Sequence, residues 1–293
     1  MIKLLSHKIS RKILKEQDAS FSNLFVSINN NNNKLKLLDI GGADGLRSRW
    51  KLFERYIEVI FVEPDKRSSL ELKQKGFKVI DKAFWSSNDK KEFYLTKKLH
   101  VSSLYKPNRE FIDKFSTSSR YDIINTIILD VDTLDNQIHH ENIPHFIKID
   151  VQGAELEILK GGIKTLQNVM GLEVEVNFKE IYKNMPLYSE IESFLKEQGF
   201  ALIDYTNLYR WERSTYRGFG EIVHGDAIFI RTPETIIEMG ENLSDPISLF
   251  ENYIKILLIY NRIDLIKTFA EYISFEYQRL FNIDAIILFL DKK

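Results

Sequence analysis

The 293-residue chain contains no cysteine. Disulfides and thiolate-held metals are thereby excluded, and a reducing compartment is allowed, which makes a cytoplasmic location the expectation. An excess of one charge is also missing: 41 Lys and Arg stand against 42 Asp and Glu, a formal net charge of −1. Such a molecule has no overall field to steer it toward nucleic acid or anionic lipid, and no nucleic-acid partner is expected. No apolar run approaches the ~20 residues that a membrane-spanning helix requires. The longest, "IKILLIY" and "AIILFL", are far too short. No spacing of His, Asp and Glu reads as a metal site, and no internal repeat is visible.

What is present is the profile of a globular protein, 44% hydrophobic and 28% charged, long enough for one large domain or two modest ones. Residues 1–33 read as an N-terminal helix and an Asn-rich linker. Ile2, Leu5, Ile9 and Ile13 recur at helical spacing among Lys3, Lys8, Arg11, Lys12 and Lys15, which describes a basic amphipathic helix. It either packs on its own domain or touches a membrane surface. Charge interrupts every apolar stretch there, which argues against a secretory signal. Asn29 to Asn33 form a solvated linker. Residues 34–232 form the main domain. Residues 233–293 form a helical extension, with helical spacing in "PISLFENYIKILLIY" and "DLIKTFAEYISFEYQRL". Assembly into a homo-oligomer and cover for the site are the two roles open to it.

In the main domain, strands and helices alternate. "KLKLLDIGGADG" gives a strand over about Leu35 to Ile40 that ends in a glycine turn, and a helical stretch follows through Trp50 and Phe53. "YIEVIFVEPD" is a strand ending at Glu63, Ser68 to Lys75 a helix, and "FKVIDKAFW" a third strand. The stretch from about Glu92 to Asp135 is less regular. "HFIKID" is a strand running into the helix of "GAELEILKGG". "GLEVEVNF", a helix with the strand of "IESFLKEQGFALIDY", and a last strand "GDAIFIRT" complete the domain. This alternation predicts a mostly parallel sheet with helices on both faces.

Ligands of such sheets bind outside the carboxyl ends of the strands. The residues there are Asp39 with Gly41 and Gly42, then Glu63, Asp81, Asp150, Glu173 and Glu175. A row of carboxylates suits a ligand with hydroxyls and positive charge rather than a phosphate. The turn Gly41-Gly42-Ala43-Asp44-Gly45 lets the backbone approach a ligand, yet it fits neither the dinucleotide fingerprint nor the phosphate loop. Glu63, at the end of the next strand, is placed to accept both hydroxyls of a ribose. Together they favour a nucleoside cofactor without an important pyrophosphate, a description that S-adenosylmethionine meets.

The same segments resemble the FkbM family of S-adenosylmethionine-dependent methyltransferases over roughly Leu35 to Arg231. The family's first motif, D-I-G-A-N-x-G-x-x-[ST], is matched at Asp39, Gly41, Gly45 and Ser48, with Ala43 in place of its Asn. "FVEPD" is similar to its second-strand acid, here Glu63. "KIDVQGAELEILKGG" resembles its most specific motif, K-x-D-[VE]-E-G-x-E-x-x-x-L-x-G, with Gln152 where the family usually has Glu. "DKAFW", "HVSSLYKPN", "DVDTLD" and "GDAIFIR" are similar to further family segments. The resemblance implies a Rossmann-like class I methyltransferase fold, a seven-stranded mostly parallel sheet whose last strand is antiparallel. It also implies S-adenosylmethionine as cofactor, with Asp39, Gly41, Gly42, Gly45, Glu63, Asp81, Ala83, Ser102 and Ser103 at its site.

Methyl transfer to a hydroxyl needs a base, and Asp150, His100 and His224 are the candidates. Asp150 ends its strand where the turn at Gly153 exposes it, with Glu155 in support; an Asp ahead of a helix also serves as a cap. Lys148 is a partner for either acid. Tyr209, Arg210, Trp211, Arg213 and Arg217 precede the last strand and offer aromatic faces and guanidinium groups to an acceptor. The family often acts on hydroxyls, so a small-molecule or glycan acceptor, such as a sugar or secondary metabolite in polysaccharide assembly, is the expectation. The rival readings are a non-catalytic scaffold with a degenerate pocket and a nicotinamide-dependent oxidoreductase.

Overall fold

The computed structural model describes Ile28 and residues 33–213 and 218–290, the side chains of 289 and 290 excepted. The N-terminal helix expected over residues 1–27, most of the Asn run, and Arg217 lie outside the described residues. The described chain forms two compact units, one of residues 36–45 and 59–231, the other of residues 28, 33–35, 46–58 and 232–290.

The first unit is built on a seven-stranded sheet. Its strands are β1 (Leu35–Ile40), β2 (Ile57–Val62), β3 (Lys78–Ile80), β7 (Phe146–Ile149), β8 (Gly171–Asn177), β9 (Ala201–Trp211) and β10 (Glu221–Ile230). They lie in the order β3-β2-β1-β7-β8-β10-β9. β1, β7 and β8 are parallel, as are β2 and β3, while β10 runs antiparallel to both neighbours. The last strand in sequence is thus inserted between β8 and β9, which is the Rossmann-like class I methyltransferase sheet that the sequence predicts. β7 and β8 are buried along their whole length; β7 is a short, mostly apolar run, as strands covered on both faces commonly are, whereas β8 alternates apolar residues with acids. Leu38, Ile147, Leu172, Val174 and Phe229 on one face pack against the helices Glu155–Lys160 and Tyr188–Glu197 through Leu156, Leu159, Ile191 and Leu195.

The stretch from Glu92 to Asp135 is more regular than the sequence suggests. β5 (Asp89–Thr96) and β6 (Ile123–Asp132) form an antiparallel pair, and β4 (Ala83–Phe84) adds to the end of β6. The expected third strand is therefore divided, Lys78–Ile80 in the large sheet and Ala83–Phe84 in the small one. β5, "DKKEFYLT", opens on four charged residues and is mostly half-buried after them, so its local pattern does not mark a strand. β6 leaves several of its apolar residues in solvent, Ile124 64% and Ile128 61% exposed, while Val131 is buried.

The second unit is helical: Pro233–Glu241, Ile247–Ile259, Ile263–Tyr272, Phe275–Leu280 and Ile283–Leu290. Phe250, Tyr253 and Phe269 meet edge to face at 5.2 Å, an arrangement that adds to their area burial. The short helix Ser48–Lys51, which follows the glycine turn, belongs to this unit, and buried Trp50 meets Tyr260 edge-on at 6.0 Å. Arg49 lies 4.7 Å over the same ring. Among the described residues no helix is long and apolar enough to cross a membrane.

Candidate active site

Strand register assembles the polar residues. Asp39 on β1 lies opposite Lys148 on β7, and Lys148 opposite Glu173 on β8. Glu175 lies opposite Asp226 on β10, and Asn177 opposite His224. Side chains alternate between faces along a strand, so these residues share the face opposite to the apolar core. The alternation in "GLEVEVN" and "HGDAIFI" is the sequence trace of this face. Lys148 Nζ is 3.0 Å from Asp39 Oδ1 and 3.8 Å from Asp150 Oδ2, so it pairs with both acids. Asp39 is 1% exposed, with its carboxylate held by Lys148.

The glycines of the turn are required for different reasons. Gly41 has φ +82°, and a Cβ there would sit 2.0 Å from the Asp150 carbonyl oxygen. The first turn is therefore pressed against the end of β7, and only glycine allows that approach. A Cβ on Gly42 would strike the Phe61 ring at 2.3 Å. Gly45, at φ +76°, has open space where its Cβ would be, with Leu72 the nearest atom at 3.9 Å.

After β7 the chain makes a strained turn. Gln152 has φ +62°, unusual for a residue with a side chain, and Gly153 has φ +107°. Several bonds hold Gln152 there. Its amide Nε2 donates to Asp150 Oδ1 (3.2 Å) and to Glu175 Oε2 (3.0 Å). Its Oε1 accepts from the Tyr182 hydroxyl (3.0 Å), and its backbone carbonyl accepts from Ser103 Oγ (2.6 Å). Glu155 Oε1 accepts the Val151 and Gly153 N–H groups at 3.1 Å each. Burial, and next the nearby Glu175, push the Glu155 carboxyl up to about 8. The helix begins at Glu155 with Ala154 as its N-cap, so Asp150 does not occupy the capping position.

Glu63 follows β2 with its carboxylate buried. It accepts the Asp65 N–H at 2.8 Å. Burial raises it to about 7, the Asp65 N–H opposes this, and the charges of Asp65, Asp39 and Asp44 add to the rise. The other expected cofactor residues are tied within the protein. Asp81 accepts from Ser69 and Lys73 of the helix Lys66–Gln74. Ser102 Oγ accepts the Thr96 N–H (3.1 Å), Ser103 holds Gln152, and Ala83 is buried in β4. His100 is exposed at the rim, 3.8 Å from Asp44 of the glycine turn.

β9 and β10 form an aromatic wall. His224 Nδ1 is 3.0 Å from Glu175 Oε1, and Tyr209 stacks on the imidazole at 4.4 Å between ring centres. Burial pushes His224 below the ordinary histidine range, and Asp226 and Asp150 oppose this. Burial raises Glu175 well above the carboxylate range, with Asp150 and Asp226 adding to it. Trp211 packs with Phe111, Phe115 and Tyr121, and Arg120 lies 4.9 Å over both Trp211 and Tyr121. Arg213 pairs with Glu221 at 2.9 Å, and Arg210 donates to the Gly220 carbonyl at 3.3 Å. Of the expected catalytic residues, Asp150, Glu155 and His224 lie within electrostatic reach of one another and His100 stands apart, while Gln152, Glu175, Tyr182 and Arg120 join the cluster without a role expected from the sequence. The alternating acids of "LEVEV" are the one signal that pointed to Glu175.

The arrangement fits S-adenosylmethionine. A buried carboxyl at Glu63 holds a single backbone N–H and is surrounded by other acids, which suits a ligand that brings hydroxyl donors and positive charge. The family model described as "Methyltransferase FkbM domain" matches residues 39–202, more than half of the chain. No curated protein matches it in sequence. Among solved structures, it is similar to the magnesium protoporphyrin IX methyltransferase of Synechocystis PCC 6803, at 13% identity over 74% of this chain and 79% of that one, with a TM-score of 0.36. It is also similar to the 1,6-didemethyltoxoflavin-N1-methyltransferase of Burkholderia thailandensis, at 10% identity over 78% and 86%, with a TM-score of 0.33. A tRNA (m1A22) methyltransferase of B. subtilis overlaps 92% of this chain and 96% of that one at 13% identity, with a TM-score of 0.34. The glycine turn, the acid after β2 and the K-x-D turn all fall within the matched span, and the chain belongs to the FkbM family of methyltransferases, with S-adenosylmethionine as its cofactor.

Proposed function

We propose that the chain methylates a hydroxyl group of a sugar, a glycan or a secondary metabolite. The observation that carries this reading is His224: a partly exposed imidazole, held below its ordinary pKa by burial, stands in an aromatic wall beside Tyr209 and Trp211. A neutral imidazole can receive a hydroxyl proton at neutral pH, and aromatic faces stack on sugar rings. S-adenosylmethionine, when bound, supplies a methyl group on a sulfonium that departs as a neutral thioether. The glycine turn and Glu63 are the residues to hold its nucleoside. Asp150, steadied by Lys148 and Gln152, is a carboxylate for its cationic end or for the acceptor's hydroxyl. The chain's own contribution is to align the acceptor and to take its proton.

The test is transfer from methyl-labelled S-adenosylmethionine to panels of free sugars, oligosaccharides and phenolic alcohols, with matched amines. Label that is stable to base and sits on oxygen supports the reading. Label found on amines alone overturns it. Asp150→Asn separates its two roles: a base lost there lowers single-turnover rate ~10²–10⁴-fold with affinity unchanged, whereas a binding role lowers affinity.

A further inference from the structure

Glu175 has no part in the reading above, yet it touches two of the residues that do. On that reading an acceptor hydroxyl must lose a proton. We propose that His224 and Glu175 act as one proton acceptor, with Nε2 of His224 taking the proton and Glu175 as the positioning residue that fixes the ring from the Nδ1 side.

The geometry restricts the ring. Nδ1 is buried and faces Glu175 Oε1 at 3.0 Å, without in-line hydrogen-bond geometry for the ring as it stands. The side chain is 19% exposed while Nδ1 itself is buried, which leaves Nε2 as the ring nitrogen for an acceptor. Tyr209 covers one ring face and Trp211 meets the ring at 79°. Glu175 is fixed in turn, because its other oxygen accepts from Gln152 Nε2. Gln152 is what makes the arrangement tolerable. It stands where the family motif usually has Glu, and it offers Asp150 and Glu175 an N–H where a third carboxylate would repel both.

The groups that set the pair's proton come from every neighbouring element. They are Asp226 on β10, Asp150 and Glu155 around the turn after β7, Lys148 on β7, Arg120 ahead of β6, Tyr182 after β8, and Tyr209 on β9. Burial favours the uncharged form of both partners: it raises Glu175, with Asp150 and Asp226 adding to the rise, and lowers His224 against the pull of Asp226 and Asp150. Release of the Glu175 proton to water leaves a carboxylate facing an Nδ1–H, with the Nε2 lone pair available to the acceptor. In the transfer step the acceptor's O–H bond breaks, its electron pair stays on the oxygen that gains the methyl group, and the proton passes to Nε2. The resulting imidazolium lies against the Glu175 carboxylate and releases the proton to water afterwards.

The test needs no acceptor. Intact protein with 15N-labelled histidine is titrated by NMR from about pH 5 to about pH 9, the span in which histidines titrate. His224 is assigned by its loss in His224→Asn. The expected result is an Nδ1-protonated ring on the alkaline side, and a midpoint moved by about one pH unit or more in Glu175→Gln, as removal of an adjacent acid requires. An identical midpoint and tautomer in both proteins overturns the proposal. Should Glu175→Gln fail to fold, the wild-type tautomer decides: a ring protonated on Nε2 throughout overturns it, and one protonated on Nδ1 supports it. Methyl transfer confined to amines would remove the hydroxyl reading while leaving this titration standing, so the two failures are distinct.

Discussion

A carboxyl held half-protonated near neutral pH turns ligand binding into proton release. Glu63 is such a group, raised to about 7 by burial. On the expectation that Glu63 accepts the ribose hydroxyls, which donate to its ionised form, S-adenosylmethionine binds with loss of a proton whenever Glu63 carries one. Affinity is expected to fall roughly tenfold for each pH unit below 7, and calorimetry in buffers of different ionisation enthalpy should detect the proton. Glu63→Ala should weaken binding by about 1.5–3 kcal/mol and flatten that pH profile. Affinity that stays constant across the range would remove Glu63 from the cofactor site. At Gly41 the expectation concerns folding. Gly41→Ala places a Cβ 2.0 Å from the Asp150 carbonyl and should shift the turn, costing more than ~1–3 kcal/mol. Gly45→Ala meets no such obstacle and should cost only the left-handed backbone term, about 1–2 kcal/mol. Urea denaturation of both variants checks the order.

Along single elements, β7 shows how a strand can be apolar in sequence yet carry the site's charge balance. Lys148 is flanked by Asp39 and Asp150 and is 4% exposed. Lys148→Met leaves two acids without their cation and should destabilise the protein by about 3–5 kcal/mol, with part recovered in Asp39→Asn/Lys148→Met. Denaturant midpoints of the single and double variants measure it. β1, β7 and β8 were legible because strands covered on both faces are short apolar runs bounded by turn residues. β5 and β6 were not, because a solvated ribbon is stabilised by pairing with its neighbour, which the local pattern does not encode. The site divides the same way. Asp150 and Glu63 stand at strand ends that can be found from the strands alone. Glu175 and His224 meet only because β10 inserts antiparallel beside β8, and that register is a long-range fact. Gln152 was visible as a departure from the motif, but its two carboxylate partners were not.

For the molecule as a whole, the buried acids predict an unusual pH response. Glu63 and Glu155 have folded pKa values of about 7 and about 8 against an ordinary 4.5. A carboxyl whose pKa is raised on folding contributes stability that is complete below the ordinary value and is lost as pH rises through the folded value. Assayed without cofactor, the protein should therefore lose thermal stability between about pH 5 and pH 8, by on the order of 3–5 kcal/mol per group. Glu155→Gln keeps an oxygen for the Val151 and Gly153 N–H groups and cannot ionise, so its melting temperature should vary less with pH than the wild type's. A melting temperature that rises over this window would contradict the assignment.

The bare isoleucines of β6 bear on handling the protein at high concentration. Among the described residues, the strand over Ile123 to Asp130 is paired on one side only, by β5, since β4 reaches it at Val131 and Asp132 alone. A long, apolar, open edge is a template for another chain, and natural sheets commonly blunt such edges with lysine. Concentrated stocks should accumulate β-rich aggregates that nucleate there. Ile128→Lys should raise the solubility limit and slow growth of light scattering on storage while leaving S-adenosylmethionine affinity as it was.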